Sequence, residues 1–326
     1  MQTVLITGAS GFVGNAVCGA LLERGDNVLA MARRPLCFSS PRLETLLVED
    51  ISAVPTSDFD VLSRVDAIVH CAGRAHKLED DALDSLNEYR RVNTDLTVTL
   101  ARAAADAGVK RFVFVSSIGV NGTRSSASPF RAEDLPAPAT PYTRSKLEAE
   151  EGLLSLGRET AMTIHIVRPP LIYGRDVTGG NLALLARLVS KGWPLPFGAL
   201  NAPRSFVARD NVVDLLIHLV QHPAPPSGVY LVADSETVST TIFIRAMAEA
   251  MGLRARLVPV PARLLEWMAN LVGRGEQIRK MAVPLAVDIS STCSRLDWAP
   301  PVTMAVAMQR AFGACVSDDP TQDKTT

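Results

Sequence analysis

The sequence Tyr142-Thr143-Arg144-Ser145-Lys146 places a phenol and an ammonium four residues apart, stacked on one face of a helix. A free tyrosine has a pKa of about 10 and is a poor acid or base near neutrality. A fixed positive charge beside it favours the phenolate and moves the phenol toward the working range. Such a pair can exchange a proton with a carbinol or carbonyl oxygen. Taken alone, it is more often a solvated helix surface. The run Arg111-Phe112-Val113-Phe114-Val115-Ser116-Ser117 precedes it and ends in two hydroxyls. Ser117 at such a strand end could hydrogen-bond the oxygen that gains or loses the proton, while Ser116 could equally cap the strand.

A second group lies at the start of the chain. Val4-Leu5-Ile6-Thr7 runs straight into Gly8-Ala9-Ser10-Gly11-Phe12-Val13-Gly14, with three glycines spaced three apart. A strand, a glycine turn and then a helix form a phosphate cradle. Gly8 turns the chain, Gly11 removes a Cβ from the path of the phosphates, and Gly14 lets the helix lie close to the sheet. The context supports a dinucleotide: Val13, Val17, Leu21 and Leu22 give the following helix an apolar face, and Gly25 ends it. Lys146 could then also hydrogen-bond the ribose of a nicotinamide nucleotide.

The elements that must hold these residues alternate through the first half. Strands are expected at Val4–Thr7, Val28–Ala32, Thr45–Val48, Ala67–His70, Phe112–Ser116 and Thr163–Val167, with helices near Gly14–Arg24, Tyr89–Gly108 and Tyr142–Thr160. This is the pattern of an α/β fold with a doubly wound parallel sheet. Ligands of such sheets bind at the carboxyl ends of the strands, which is where Ser117 falls. After Arg168 the texture turns to proline, glycine and short segments, with helices expected at Asn181–Lys191, Asp210–Gln221, Thr241–Met251 and Ala262–Val272. The expected organisation is a dinucleotide-binding domain over 1–168 and a smaller α+β lobe, mainly substrate-binding, over 169–315. Some elements of that lobe return to the first domain, and 316–326 form a flexible tail.

Composition narrows the classes. The 326 residues carry 33 basic and 34 acidic side chains, a net charge of −1, with no basic run of the kind nucleic acid requires. No stretch approaches the ~20 uncharged apolar residues of a membrane span, and the start leaves no room for a signal peptide. Five scattered cysteines form no CxxC pair, so reduced thiols are expected and a zinc site is not. The expectation is a cytoplasmic enzyme, without metal, nucleic-acid partner or membrane insertion.

The motifs together resemble the extended short-chain dehydrogenases/reductases, the NAD-dependent epimerase/dehydratase family. The similarity runs through Thr7–Gly14, His70-Cys71-Ala72-Gly73, Asn93, Ser117, Tyr142, Lys146 and Arg168-Pro169-Pro170-Leu171-Ile172-Tyr173-Gly174. It implies a Rossmann fold and a Ser117–Tyr142–Lys146 catalytic set. It also implies a cofactor groove of Gly8, Ser10, Gly11, Phe12, Val13, Gly14, Asp50, Ile51, Cys71, Ala72, Gly73, Asn93 and Pro169. Asp50 and Ile51 would contact adenine. Pro170 would border the substrate, and Asn181 and Arg204 would hold the diphosphate of a UDP-sugar, although Arg204 could equally be a surface cation. A homodimer fits the resemblance.

The second strand candidate ends Ala32-Arg33-Arg34, where an NAD-selective site places a carboxylate for the ribose hydroxyls. Two guanidiniums suit a 2′-phosphate instead, so NADP(H) is expected over NAD(H). Arg33 stacking on adenine would tolerate both. Ser117 is followed by Ile118-Gly119-Val120 rather than the Asp-Glu pair of the dehydratases, which disfavours dehydration. The arginines favour net reduction, and the segments around Arg33, Arg168 and Pro194 resemble bacterial 4-ketoreductases. Those enzymes act on UDP-4-keto-6-deoxy-N-acetylhexosamines and yield UDP-N-acetylfucosamine or UDP-N-acetylquinovosamine for surface polysaccharide. Two alternatives stand beside this expectation: a UDP-hexose or UDP-N-acetylhexosamine 4-epimerase with tightly bound NAD, and an NADP(H)-binding regulator without turnover.

Overall fold

The computed structural model describes residues 1–49, 61–74, 85–177, 180–271 and 273–313. In chain order the first half contains β1 (Thr3–Thr7), α1 (Phe12–Glu23), β2 (Asn27–Ala32), β3 (Leu43–Leu47), β4 (Ala67–His70) and α2 (Ser85–Tyr89). A π-helical stretch (Arg90–Asp95) leads into α3 (Leu96–Asp106), then β5 (Arg111–Val115), a 3-10 turn (Ile118–Val120), α4 (Pro141–Glu159) and β6 (Thr163–Arg168). There follow β7 (Leu171–Tyr173), α5 (Gly180–Ser190), β8 (Pro203–Ala208), α6 (Arg209–Gln221), β9 (Gly228–Leu231), β10 (Thr237–Ser239) and α7 (Thr240–Ala250). The last elements are α8 (Ala262–Asn270), α9 (Gly275–Ala282), α10 (Ser290–Leu296) and α11 (Met304–Phe312).

Seven strands form one sheet in the order β3-β2-β1-β4-β5-β6-β9, every neighbour parallel, and a three-stranded sheet runs β10-β8-β7. The central strands β1, β2 and β4 are almost wholly buried on both faces, as a sheet covered on both sides requires, whereas edge strand β3 leaves Glu44, Thr45 and Leu47 exposed. Side chains alternate between two cores. Val4, Ile6, Val28, Ala30, Val69, Val113 and Val167 pack with Val17, Cys18 and Leu21 of α1 and Leu216 and Val220 of α6. Leu5, Leu29, Ile68, Phe112, Phe114 and Ile166 pack with Leu100 and Ala104 of α3 and Ala149 and Leu153 of α4. Each fully buried Leu or Ile contributes about 1.5–3 kcal/mol, and a one-residue slip of a strand would exchange its side chains between the two cores.

The chain forms two compact units. One comprises 1–172, 202–238 and 283–302, and the other 173–201, 239–282 and 303–326. Thus β8, α6, β9 and α10 belong to the unit that carries the large sheet. In that unit the strand order reverses at the β1/β4 junction, so the carboxyl ends of β1, β4 and β5 open onto one crevice.

Candidate active site

The glycine loop follows β1 directly. Gly8 takes φ +68°, and a Cβ there would meet the Ala72 backbone at 2.8 Å. At Gly14 a Cβ would lie 2.4 Å from the Gly8 carbonyl oxygen, so the loop closes onto itself and onto the end of β4. The N-cap of α1 is Gly11, with no side-chain cap and no acidic residue in the first turn. The first N–H groups of α1 therefore lack a side-chain acceptor, and the positive end of the helix faces the crevice. Arg209, the first residue of α6, adds a guanidinium 5.0 Å from the centroid of the Phe12 ring. Its Nε is buried without a hydrogen-bond partner. A bare helix terminus, a loop that excludes Cβ atoms and an adjacent cation fit a dinucleotide pyrophosphate.

The end of β4 is locked by a chain of hydrogen bonds through His70, which is fully buried. The Thr97 hydroxyl donates to the Asn93 carbonyl at 2.7 Å, so its oxygen accepts from His70 Nε2 at 3.0 Å. His70 Nδ1 then accepts from the Thr7 hydroxyl at 2.8 Å, and Thr7 Oγ1 accepts from the Ala72 N–H at 3.3 Å. The imidazole is thereby assigned as the neutral Nε2–H tautomer. Burial, with the Lys146 charge, pushes its pKa down to about 3. Asn93, buried in the π-helical stretch, accepts from Arg74 N–H at 2.8 Å and donates to Ser145 Oγ at 3.1 Å. One side chain thus joins the β4 loop to α4 across a locally widened helix, a geometry frequent at functional sites.

A capping box fixes the start of α4. Thr140 Oγ1 accepts from Thr143 N–H at 3.2 Å, Thr143 Oγ1 accepts from Thr140 N–H at 3.0 Å, and Pro141 occupies the first turn. This sets the position of Tyr142, whose ring stands edge-on to Tyr89 with centroids 6.0 Å apart. The Ser117 hydroxyl hydrogen-bonds the phenol, and Ser117 Oγ accepts from Gly119 N–H at 3.1 Å. Lys146, one turn further along, donates to the Val115 carbonyl at 3.0 Å. Burial lowers its pKa to about 8, opposed by Cys71 and Glu150.

The phenol departs from expectation. Burial, followed by the neighbouring Tyr89, pushes Tyr142 up to about 12, and the Ser117 hydrogen bond only partly offsets them. Lys146 is not among the groups that move the phenol here. Tyr142 is a protonated donor at neutral pH in this state.

Beneath these groups, Ser116 donates to Glu150, whose carboxylate is also gripped by Arg168 through Nε at 3.0 and 3.1 Å and through Nη2. Arg168 also donates to Asn121 Oδ1 at 2.9 Å. Both charges are buried and hydrogen-bonded, the only arrangement in which such burial is tolerable. Ser116 is thus a structural partner of α4 and not a second reacting hydroxyl.

The remaining site candidates divide by position. Cys71, Ala72 and Gly73 follow β4, and a Cβ on Gly73 would sit 3.0 Å from Asn93 Oδ1 and 3.3 Å from Lys146 Nζ. Pro169 and Pro170 are buried after β6, and the Pro169 carbonyl accepts from Ile118 N–H at 2.9 Å. Ser10 and Val13 sit in the glycine loop and first turn of α1, and Arg33 and Arg34 are exposed just beyond β2. Arg204 lies on β8 and donates to the Val283 carbonyl at 2.8 Å, with burial lowering its pKa to about 10. Asn181 is an exposed residue at the start of α5, in the other compact unit. Asp50, Ile51 and the 316–326 tail lie outside the described residues. Among the described residues there is no metal-binding cluster and no helix long and apolar enough to cross a membrane.

The roles of Thr97, Glu150 and Arg209 were not legible beforehand. Arg209 and Phe12 are far apart in sequence, and nothing in either segment links them.

The model of the NAD dependent epimerase/dehydratase family matches residues 4–233. A UDP-glucose 4-epimerase of Vibrio cholerae is 40% identical over 306 residues, covering 93% of this chain and 92% of that protein. A 3-beta-hydroxysteroid dehydrogenase of Mycolicibacterium neoaurum is 28% identical over 87% of this chain and 81% of its own length. The structure of MoeE5 in complex with UDP-glucose and NAD superposes with a TM-score of 0.74 at 25% identity, covering 95% and 97% of the two chains. The chain belongs to the NAD-dependent epimerase/dehydratase family. It is an enzyme with that family's Rossmann-like fold.

Proposed function

We propose that the chain is a UDP-hexose 4-epimerase that retains its NAD through the reaction. The observation that carries this reading is the near full-length 40% identity to a UDP-glucose 4-epimerase. It replaces the 4-ketoreductase expectation, which rested on Arg33 and Arg34 and on short proline segments. The NAD and UDP-glucose held by MoeE5 agree with it.

In this reading the glycine loop, Asn93, Lys146 and Arg209 hold the dinucleotide, which when bound accepts and returns a hydride at the sugar carbon. Tyr142 must first lose its own proton, which the Lys146 charge would favour once the site is filled. The phenolate then takes the proton of the sugar hydroxyl and later returns it, while Ser117 hydrogen-bonds the same sugar oxygen. Lys146 supplies positive charge and the hydrogen bond to the ribose. Pro170 and Arg204 are the proposed substrate contacts. Because hydride and proton both leave and return, the reaction is redox-neutral overall.

One observation supports a second reading. Arg33 and Arg34 stand exposed at the end of β2, where their guanidiniums suit a 2′-phosphate, so NADP(H)-dependent reduction of a UDP-4-keto sugar is retained as the alternative. One experiment separates the two. Purified protein is incubated with UDP-glucose or UDP-galactose without added cofactor, and the sugars are separated while nicotinamide absorbance is followed. Epimerisation gives both sugars from either one with no net absorbance change. Failure to interconvert them, with NADPH consumed mole for mole by a UDP-4-keto-6-deoxy-N-acetylhexosamine, would overturn the proposal.

A further inference from the structure

Four large apolar side chains stand in water along one edge of α8. Leu264, Trp267, Met268 and Leu271 are 48%, 60%, 49% and 72% exposed. Leu271 is the C-cap and keeps helical dihedrals, so the spacing of three, four and seven residues puts all four on one face. Leu265, 5% exposed, turns inward, and α8 packs against α9. Single exposed apolar residues are ordinary, but a contiguous stripe that includes a tryptophan marks an interaction surface.

The charge of the segment that carries the stripe favours one class of partner. Residues 253–282 carry Arg254, Arg256, Arg263, Arg274, Arg279 and Lys280 against Glu266 and Glu276, a net +4 in a chain of net −1. Arg279 pairs with Glu266 at 2.6 Å and Lys280 with Glu276 at 2.7 Å, which neutralises both acids. Arg254, Arg256, Arg263 and Arg274 are exposed. An apolar, tryptophan-bearing face with surplus arginines is complementary to an anionic bilayer surface, where apolar groups enter the headgroup boundary and guanidiniums meet phosphates. A second copy is a poorer partner, because a two-fold interface would set two patches of the same positive sign against each other.

We propose that α8 docks the protein on anionic membrane surfaces, lying in the interface without crossing it. The helix has 9 residues, so the attachment is reversible and depends on both the apolar face and the charge.

The test is co-sedimentation of the full chain with vesicles of phosphatidylglycerol and phosphatidylcholine, against phosphatidylcholine alone. Binding to the anionic vesicles is expected to fall about tenfold or more on phosphatidylcholine alone and in high salt. The same loss is expected for Trp267→Glu/Leu271→Glu and for Arg263→Glu/Arg274→Glu, both of which keep the wild-type melting temperature and epimerase rate. Absence of vesicle binding would overturn the proposal, as would equal binding to both vesicle types. Self-association abolished by Trp267→Glu, without vesicle binding, would overturn it in favour of a second copy.

Discussion

The Lys146 ammonium donates to the Val115 carbonyl at 3.0 Å and stands 4.5 Å from the centroid of the Phe114 ring. The cation on α4 is thus held by the end of β5. Its pKa of about 8 lies below the 10.5 of a free lysine, because burial penalises the charge more than Cys71 and Glu150 repay it. The unfolded chain therefore binds this proton more tightly. Stability rises as pH climbs from about 8 to 10.5, and the full penalty applies below 8. Lys146→Met is accordingly expected to be more stable than wild type at neutral pH, by about 1–3 kcal/mol. It should also lose the pH dependence in that window and turn over at least ~100-fold more slowly. Denaturant melts at neutral and alkaline pH, beside rate measurements, check this. A variant less stable at neutral pH would show that the contacts outweigh desolvation.

Two glycines of α1 predict effects of opposite sign. A Cβ at Gly14 would sit 2.4 Å from the Gly8 carbonyl oxygen and 2.9 Å from its carbon, both of them backbone atoms with no rotamer to yield. At Gly19, on the same helix, a Cβ would meet nothing within 4 Å. Gly14→Ala is expected to cost about 3–5 kcal/mol and to abolish dinucleotide binding. Gly19→Ala should stabilise by about 0.5–1 kcal/mol through helix propensity alone. Chemical denaturation of the two variants gives the comparison, and equal effects would mean that the loop relaxes.

What the sequence disclosed follows from how local each signal is. β1, β2, β4, β5 and β6 are short, mostly apolar segments built around Val, Ile, Leu or Phe, so their existence is written in consecutive residues. β9 is not: Gly228-Val229-Tyr230-Leu231 is four residues long and follows Pro223, Pro225 and Pro226, which read as loop. Only its pairing with β6, His165 to Gly228 through Arg168 to Leu231, makes it the seventh strand. The helix expected over Tyr89–Gly108 is interrupted by the π-helical stretch at Arg90–Asp95, where Asn93 and Thr94 bond to Ser145 of α4. Tertiary bonds decide that geometry, and periodicity cannot register it. In the site, spacing disclosed the Tyr142–Lys146 pair but not the state of its protons. Those depend on burial, on Tyr89 and on the Val115 carbonyl.

His70 makes the protein acid-sensitive from within. Its folded pKa of about 3 lies below the 6.5 of free histidine, because burial and then the Lys146 charge disfavour the imidazolium. His165 is likewise lowered to about 4, first by burial and then by Arg111. The unfolded chain takes up these protons first, so stability is lost as pH falls from about 6.5 toward 3. In imidazole nitrogen NMR, His70 should remain the neutral Nε2–H tautomer throughout the folded range. A folded-state titration of His70 near 6.5 would contradict the assignment.

Arg209 carries the sharpest expectation for the cofactor. Its guanidinium lies over Phe12, beside the uncapped N-terminus of α1, so two positive features converge on one spot. Without an anion this is unfavourable, since a cation repels the positive end of a helix dipole. With a pyrophosphate present it becomes a charge-assisted contact worth about 1.5–3 kcal/mol. Arg209→Met should therefore raise the Kd for NAD by about 10-fold or more. It should raise the Kd for ADP by a similar factor, because the two share their phosphates, and leave adenosine unaffected. The cofactor-free variant should be no less stable than wild type. Calorimetric titration of the three ligands separates a phosphate contact from a general disturbance of the fold, which would weaken adenosine as well. An unchanged Kd for NAD would show that the guanidinium serves only to pack against Phe12.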